Sequence, residues 1–254
     1  MSLPIYAFCL MYGFAGVALL HIVGCVWNDI MDRQLDRQME RTRHRPIANG
    51  RVSIPGALAF MSAPLALLLA LLWPLSELAW WFGLATVFPL AGLYPLMKRV
   101  THWPQVWLGC TLNAVVFIVW AQFQGSVSPA ALALMIGCCF WTLHYDTMYS
   151  CLDRKDDIKI GIKSTAVLFG PQVQNILRVF TSLTVVCLAV SGYLHGQGIS
   201  FYVLGVGGAS AHLLRQLARL DVDNTRSCLL TLRSNAFVLG PVIWLSLFIE
   251  YVLT

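Results

Sequence analysis

Residues 54–75 read IPGALAFMSAPLALLLALLWPL, twenty-two positions without one charged side chain. As a helix rising ~1.5 Å per residue, this run extends roughly 33 Å, enough to cross a hydrocarbon layer of ~30 Å. A helix on the surface of a soluble domain would carry a polar face, and this one has none. Seven comparable runs flank it, near 5–27, 78–96, 104–123, 129–149, 174–195, 199–214 and 235–253, of which 199–214 is short and glycine-rich. The 254-residue chain is 58% hydrophobic and 11% charged, against about 25% charged in an ordinary soluble domain. An all-α, polytopic membrane protein of about eight transmembrane helices is therefore expected, built as a single domain over 1–254. The first run has no basic residue ahead of it and is too long for a cleavable signal peptide.

The charges are sorted by side. Lys and Arg gather at the ends of runs 1, 3, 5 and 7 or in the connections that follow them, while the connections 76–77, 124–128 and 196–198 contain none. By the positive-inside rule, the basic connections face the cytoplasm or, in a mitochondrion, the matrix. Ten of the twelve acidic residues share that face, Glu77 and Glu250 being the exceptions. Membrane anchoring requires only the basic bias. Carboxylates crowded at the same boundary carry a desolvation cost and call for a further reason. The eight cysteines show no C-x-x-C pair and behave as small hydrophobes within apolar runs. His21 and His144 fall inside runs, as polar helix contacts or site residues.

Residues 28–47, NDIMDRQLDRQMERTRHRPI, supply one such reason. Asn28, Asp32 and Asp36 recur at i, i+4 and i+8, and so share one face if the first helix continues, with Asp29 beside them. Carboxylates stacked in this way repel unless a cation neutralises them. A hard divalent ion with oxygen ligands fits, and Mg²⁺ joins one or two carboxylates to substrate phosphates. The segment then turns basic through Arg41, Arg43, His44 and Arg45 before Pro46. Guanidinium forks suit phosphate oxygens, so acid followed by base suits a pyrophosphate substrate. On a soluble helix, the same residues would read as a solvated end with pairs such as Asp29–Arg33.

A second segment repeats the order. Residues 145–170 read YDTMYSCLDRKDDIKIGIKSTAVLFG. Asp153 and Asp157 stand at i, i+4, Asp146 lies a heptad before Asp153 and so near the same face, and Asp156 adjoins them. Lys155, Lys159 and Lys163 follow. GIKS is not a P-loop, because Ile162 stands where a Walker motif needs Gly before Lys. Two acidic segments on one membrane face, each opening from an apolar run, point to a two-metal pyrophosphate site. They also form a faint internal echo, as of two related four-helix units.

On these residues the chain resembles the UbiA superfamily of intramembrane prenyltransferases, among them the 4-hydroxybenzoate polyprenyltransferases. The motif N-D-x-x-D-x-x-x-D is matched by Asn28, Asp29, Asp32 and Asp36, and R-x-R-P by Arg43–Pro46. The second motif is matched across DTMY (146–149) and DRKDDIKIGIKST (153–165), and a third block by YPLMKRVTHWPQVWLG (94–109). The stretch 235–251 also resembles fungal enzymes that prenylate phenolic polyketides in meroterpenoid pathways, and 110–123 lacks the Gly/Trp pattern of ubiquinone-pathway members.

The resemblance implies a nine-helix bundle around a cavity, here with its first helix missing, which would put Met1 on the non-basic side. It implies Mg²⁺-dependent transfer of a prenyl group, farnesyl or longer, from its diphosphate to a ring carbon of a phenolic acid such as 4-hydroxybenzoate. That product would serve ubiquinone or meroterpenoid (terpenoid) biosynthesis. Metal would be held by Asp29, Asp32, Asp36, Asp153, Asp156 and Asp157, and diphosphate by Asn28, Arg43, Arg45, Lys98, Arg99 and Lys163. Asp32 and Asp153 would be catalytic, with Asp146 as the base that removes the ring proton. Tyr94, Tyr145 and Tyr149 would face the allylic cation. The setting would be the mitochondrial inner membrane or the endoplasmic reticulum of a eukaryote, with lipid and no nucleic acid as partner. The competing class is a transporter or channel, which usually places ionisable groups near the midplane rather than at one boundary.

Overall fold

The computed structural model describes residues 2–253 and contains only helices and connections among them. Eight long helical rods coincide with the eight apolar runs. They are α1 (Leu3–Asp36), α2 (Ile54–Leu72), α3 (Glu77–Val100), α4 (Pro104–Gln124), α5 (Pro129–Ser150), then, past the short helix α6 (Arg154–Ile160), α7 (Thr165–His195), α8 (201–219) and α9 (Thr225–Val252). Met1, whose side of the membrane the sequence addressed, lies outside the described residues.

Local chemistry sets the rod boundaries. Ser53, Ser128 and Ser164 cap α2, α5 and α7 by accepting hydrogen bonds from the backbone N–H groups of Gly56 at 3.2 Å, Ala131 at 3.3 Å and Val167 at 3.3 Å. Pro55 and Pro129 stand where a helix start has no use for an N–H. Gly125 ends α4 in the left-handed region, at φ 66°. Wider π-turns interrupt α3 at Thr86–Leu90, which contains Pro89, and α9 at Asn235–Leu239, just before Pro241. A proline removes an i→i−4 bond and crowds the preceding turn, so the ladder widens.

Six rods are long and apolar enough to cross a membrane on their own. The other two, α5 and α8, were expected as spans but carry more polar residues. On α5 these are Thr142, His144 and Thr147, all buried, because α5 lies between α4 and α7 and packs along both. His144 is a helix contact: its Nδ1 meets Thr181 Oγ1 at 3.2 Å, and its Nε2 meets Gln216 Oε1 at 3.4 Å. Outward faces carry large apolar side chains, among them Phe8, Met11 and Phe14, 66–72% exposed. Lipid makes that exposure inexpensive. The chain is an integral membrane protein.

The basic connections meet at one end of the bundle. Arg41, after α1, reaches Asp153, after α5; Lys98 and Arg99, ending α3, reach Asp32 on α1; and Arg154 reaches Asp223 between α8 and α9 at 2.8 Å. At the other end, Glu250 accepts a bond from the backbone N–H of Gly198 at 2.7 Å and another from the Ser200 hydroxyl.

Between α7 and α8, a Cβ on Gly192 would stand 2.4 Å from Cε1 of the buried Phe201 ring. Gly192→Ala should cost about 1–3 kcal/mol through overpacking. Gly13→Ala, with no atom within 4 Å of its new methyl, should not destabilise the fold. Thermal unfolding of the detergent-solubilised protein checks both, and equal midpoints would contradict this packing.

Candidate active site

Helix α1 runs unbroken to Asp36, so Asn28, Asp32 and Asp36 do share one face. Asp32 is fully buried and is held by cations from α3: Lys98 Nζ lies against Oδ2, and Arg99 Nη2 is 3.4 Å from Oδ1. The Lys98 ammonium is thus the partner of the buried Asp32 Oδ2. Arg45 folds back to straddle Asp29 at 2.9 Å and Asp36 at 3.1 Å. The i,i+4 pair Asp29–Arg33 does not form, and Arg33 instead donates to the carbonyl of Ile30 at 3.4 Å.

The second segment departs from a single continuous helix. α5 stops at Ser150, a turn covers 151–153, and α6 starts at Arg154 with Asp153 as its cap residue. The heptad relation between Asp146 and Asp153 is therefore broken. Asp146 instead lies beside Gln105 on α4. Gln105 also donates to Ser150 Oγ at 2.7 Å and accepts from the backbone N–H of Thr165 at 3.3 Å, joining α4, α5 and α7. Thr147 and Thr165 share a buried hydroxyl contact of 2.7 Å.

Arg41 joins the two segments. Its Nε and Nη2 grip Asp153 at 2.7 and 2.5 Å, its Nη1 donates to Tyr149 Oη at 2.8 Å, and its guanidinium lies 5.0 Å from the Tyr149 ring centroid. The bond to Asp153 raises the Arg41 pKa above its ordinary value. Burial, then the neighbouring Asp153 charge, pushes Asp157 up to about 7. Ser164 donates to it at 3.4 Å. Tyr94 lies within electrostatic range of Asp32, Asp146, Tyr145 and Tyr149.

Three expected residues stand apart. Arg43 is exposed and bonds its neighbour His44 at 3.3 Å. Asp156 pairs with Lys159 at 3.0 Å on the outer turn of α6, which lowers its pKa. Lys163 donates from Nζ to the carbonyl of Val100 at 3.2 Å, and its backbone N–H donates to the carbonyl of Lys98 at 3.0 Å. Arg41 and Gln105 were missed as site residues. Gln105 carried a signal, as a polar side chain in the first turn of an apolar run, whereas nothing marked Arg41 among its neighbouring arginines.

Among the described residues, no three His, Cys, Asp or Glu side chains converge into a metal cage. Mg²⁺ does not need one, since it completes its shell with water and substrate phosphates. A set of carboxylate oxygens that already gathers cations, two of them on Asp32, fits that ion.

A model of the UbiA prenyltransferase family matches residues 3–240. The chain belongs to this family. It is 45% identical to the UbiA prenyltransferase claS of Ampulloclitocybe clavipes, over 98% of this chain and 80% of that protein. It is 38% identical to the mitochondrial 4-hydroxybenzoate polyprenyltransferase of Drosophila melanogaster over 94% of this chain, and spans 59% of that protein. A UbiA homologue from Archaeoglobus fulgidus, solved bound to GPP and Mg²⁺, shares the fold with a TM-score of 0.74 at 19% identity, over 95% of this chain and 87% of that one.

The pairing of Asp32 yields a prediction. Lys98→Met leaves a buried carboxylate with only Arg99 and should cost about 2 kcal/mol, below the ~3–5 kcal/mol of a fully buried broken pair because Lys98 is partly exposed. Lys98→Met with Asp32→Asn should recover most of that loss. A double variant no more stable than the single one would contradict the pairing.

Proposed function

We propose that the chain transfers a prenyl group from a prenyl diphosphate, farnesyl or longer, to a ring carbon of a phenolic acid of the 4-hydroxybenzoate kind, releasing pyrophosphate. The observation that carries this reading is the Arg41 clamp, which brings two acidic segments far apart in the chain into one charged cluster at the membrane boundary. Relatives named 4-hydroxybenzoate polyprenyltransferase support the acceptor class, and the word mitochondrial in their names supports the inner mitochondrial membrane.

The carboxylates Asp29, Asp32, Asp36, Asp153 and Asp157 would hold Mg²⁺, with Asn28 beside them. When bound, the ion supplies charge neutralisation at the diphosphate oxygens. Arg41, Arg45, Lys98 and Arg99 would exchange their carboxylate partners for diphosphate oxygens, and Lys163 would join them by leaving the Val100 carbonyl. Negative charge grows on the leaving group as the C1–O bond breaks and takes the electron pair, and these cations stabilise it. Tyr94, Tyr145 and Tyr149 would stabilise the allylic cation through their rings. A helix bundle in lipid keeps water from quenching it. The electron-rich ring carbon supplies the pair for the new C–C bond. Asp146, oriented by Gln105, accepts the ring proton, and aromaticity returns.

Purified protein in lipid nanodiscs, given a prenyl diphosphate and 4-hydroxybenzoate, should form product with Mg²⁺ and none in EDTA. Asp32→Ala and Asp153→Ala should each lower kcat by at least about a hundredfold with membrane insertion intact. Full activity in EDTA or in either variant contradicts the two-segment site. A clear kcat/KM preference for a phenolic polyketide acid over 4-hydroxybenzoate would move the acceptor to that class.

A further inference from the structure

A cavity of about 500 Å³ lies among α5, α7, α8 and α9, toward the end of the bundle opposite the acidic cluster. Its walls are mainly apolar, with Leu134, Cys138 and Trp141 from α5 facing Leu188, Phe201 and Trp244. The α5 residues fall at i, i+4 and i+7, and the same stripe continues to Tyr145 and Tyr149. One helix face therefore runs from the floor of this cavity to the ring that Arg41 covers. The distance from Tyr149 to Trp141 along the helix is roughly 12 Å, and from Tyr149 to Leu134 roughly 22 Å.

Trp141 stands at the junction. On one side its ring meets Tyr145 edge-on, with centroids 5.4 Å apart and an interplanar angle of 69°. On the other it packs against the core of Leu188, Phe201, Ala209, Leu213 and Leu239. Its indole N–H donates to Asn235 Oδ1 at 3.2 Å, and the same oxygen accepts from Gln216 Nε2 at 3.2 Å. Gln216 Nε2 also donates to Ser234 Oγ at 2.6 Å. Asn235 opens the π-turn of α9, so the widened turn delivers an acceptor to the indole. A tryptophan fixed by a buried, shared hydrogen bond does not swing aside without leaving its acceptor partly unpaired.

We infer that Trp141, pinned by Asn235, is the partition that sets the length of prenyl chain the enzyme accepts. The inference rests on the prenyl diphosphate reading above. With its diphosphate at the Arg41 clamp, a donor extends along the α5 stripe and ends against Trp141, which selects donors of the farnesyl class. The space beyond is closed to the tail although its walls are mainly apolar. At ~30 Å³ per water-sized group it holds about seventeen carbon-sized groups, roughly three more isoprene units. Removing the indole opens the donor's path into this cavity.

The test compares kcat/KM for a farnesyl donor and a donor at least three isoprene units longer. In Trp141→Ala the long-to-short ratio should rise at least tenfold over the unaltered enzyme. In Asn235→Ala, which frees the indole without removing it, the ratio should rise by a smaller factor, and in Trp141→Phe it should stay close to that of the unaltered enzyme. An unchanged ratio in Trp141→Ala overturns the partition. A photoreactive group at the tail end of each donor gives a readout independent of turnover. The farnesyl probe should label the Trp141–Tyr145 segment, and the long probe should label Leu134–Cys138 only in Trp141→Ala. Labelling confined to other helices overturns the inference even if the variants are inactive. If the unaltered enzyme binds the probes as described and transfers to no phenolic acid, the acceptor reading fails and the partition stands.

Discussion

Asp32 is a carboxylate with no exposed surface, at the point where a transmembrane helix leaves the membrane. A charge in that position is tolerable only if other charges come to it, and much of the architecture at this end of the bundle follows from that demand. Lys98 and Arg99 come to it from the end of α3. Arg45 returns along α1 to Asp29 and Asp36, and Arg41 crosses to Asp153. These contacts draw three chain segments into one cluster, and the rods attached to them must then stand side by side. The pairs also explain how the fold tolerates so many like charges before any substrate arrives. In the proposed reaction an incoming diphosphate would take over the cations and free the carboxylates.

The same arrangement separates chemistry from specificity. Most charged groups lie at one boundary, Glu77 and Glu250 excepted, while the cavity toward the other end is walled mainly by apolar side chains such as Leu188, Phe201 and Trp244. Polar groups inside the bundle are spent on one another. His144, Thr181, Gln216 and Asn235 form a connected set between α5, α7, α8 and α9, which fixes the angles between those rods without offering a free charge. Buried polar networks that are fully paired specify a unique packing in this way.

Much of this was legible from residue order. Runs of apolar residues gave the rods, and the spacing of Asn28, Asp32 and Asp36 gave a shared face because no Gly or Pro interrupts 28–36. The helix break after Ser150 was not legible. No glycine or proline marks it; the turn at 151–153 places Asp153 against Arg41 and Asp157 against Ser164, contacts across more than one hundred residues in the first case. Local periodicity cannot register such a pairing. Arg41 was invisible for the same reason, since five arginines between 33 and 45 offer equal charge and only the folded chain distinguishes them. His144 left two readings open in the sequence, a polar helix contact or a site residue, and the fold decides for the first, because its ring meets Thr181 and Gln216 on neighbouring helices.

The central claim is that both acidic segments and the arginine clamp form one diphosphate site. Its most direct test is ³¹P NMR of a non-reacting prenyl diphosphate analogue on the purified protein in nanodiscs, with Mn²⁺ in place of Mg²⁺. The account predicts that both phosphorus resonances broaden on the protein at Mn²⁺ concentrations that leave the free analogue sharp, and sharpen again with excess Mg²⁺. Resonances that stay sharp, or broaden equally without protein, would contradict it.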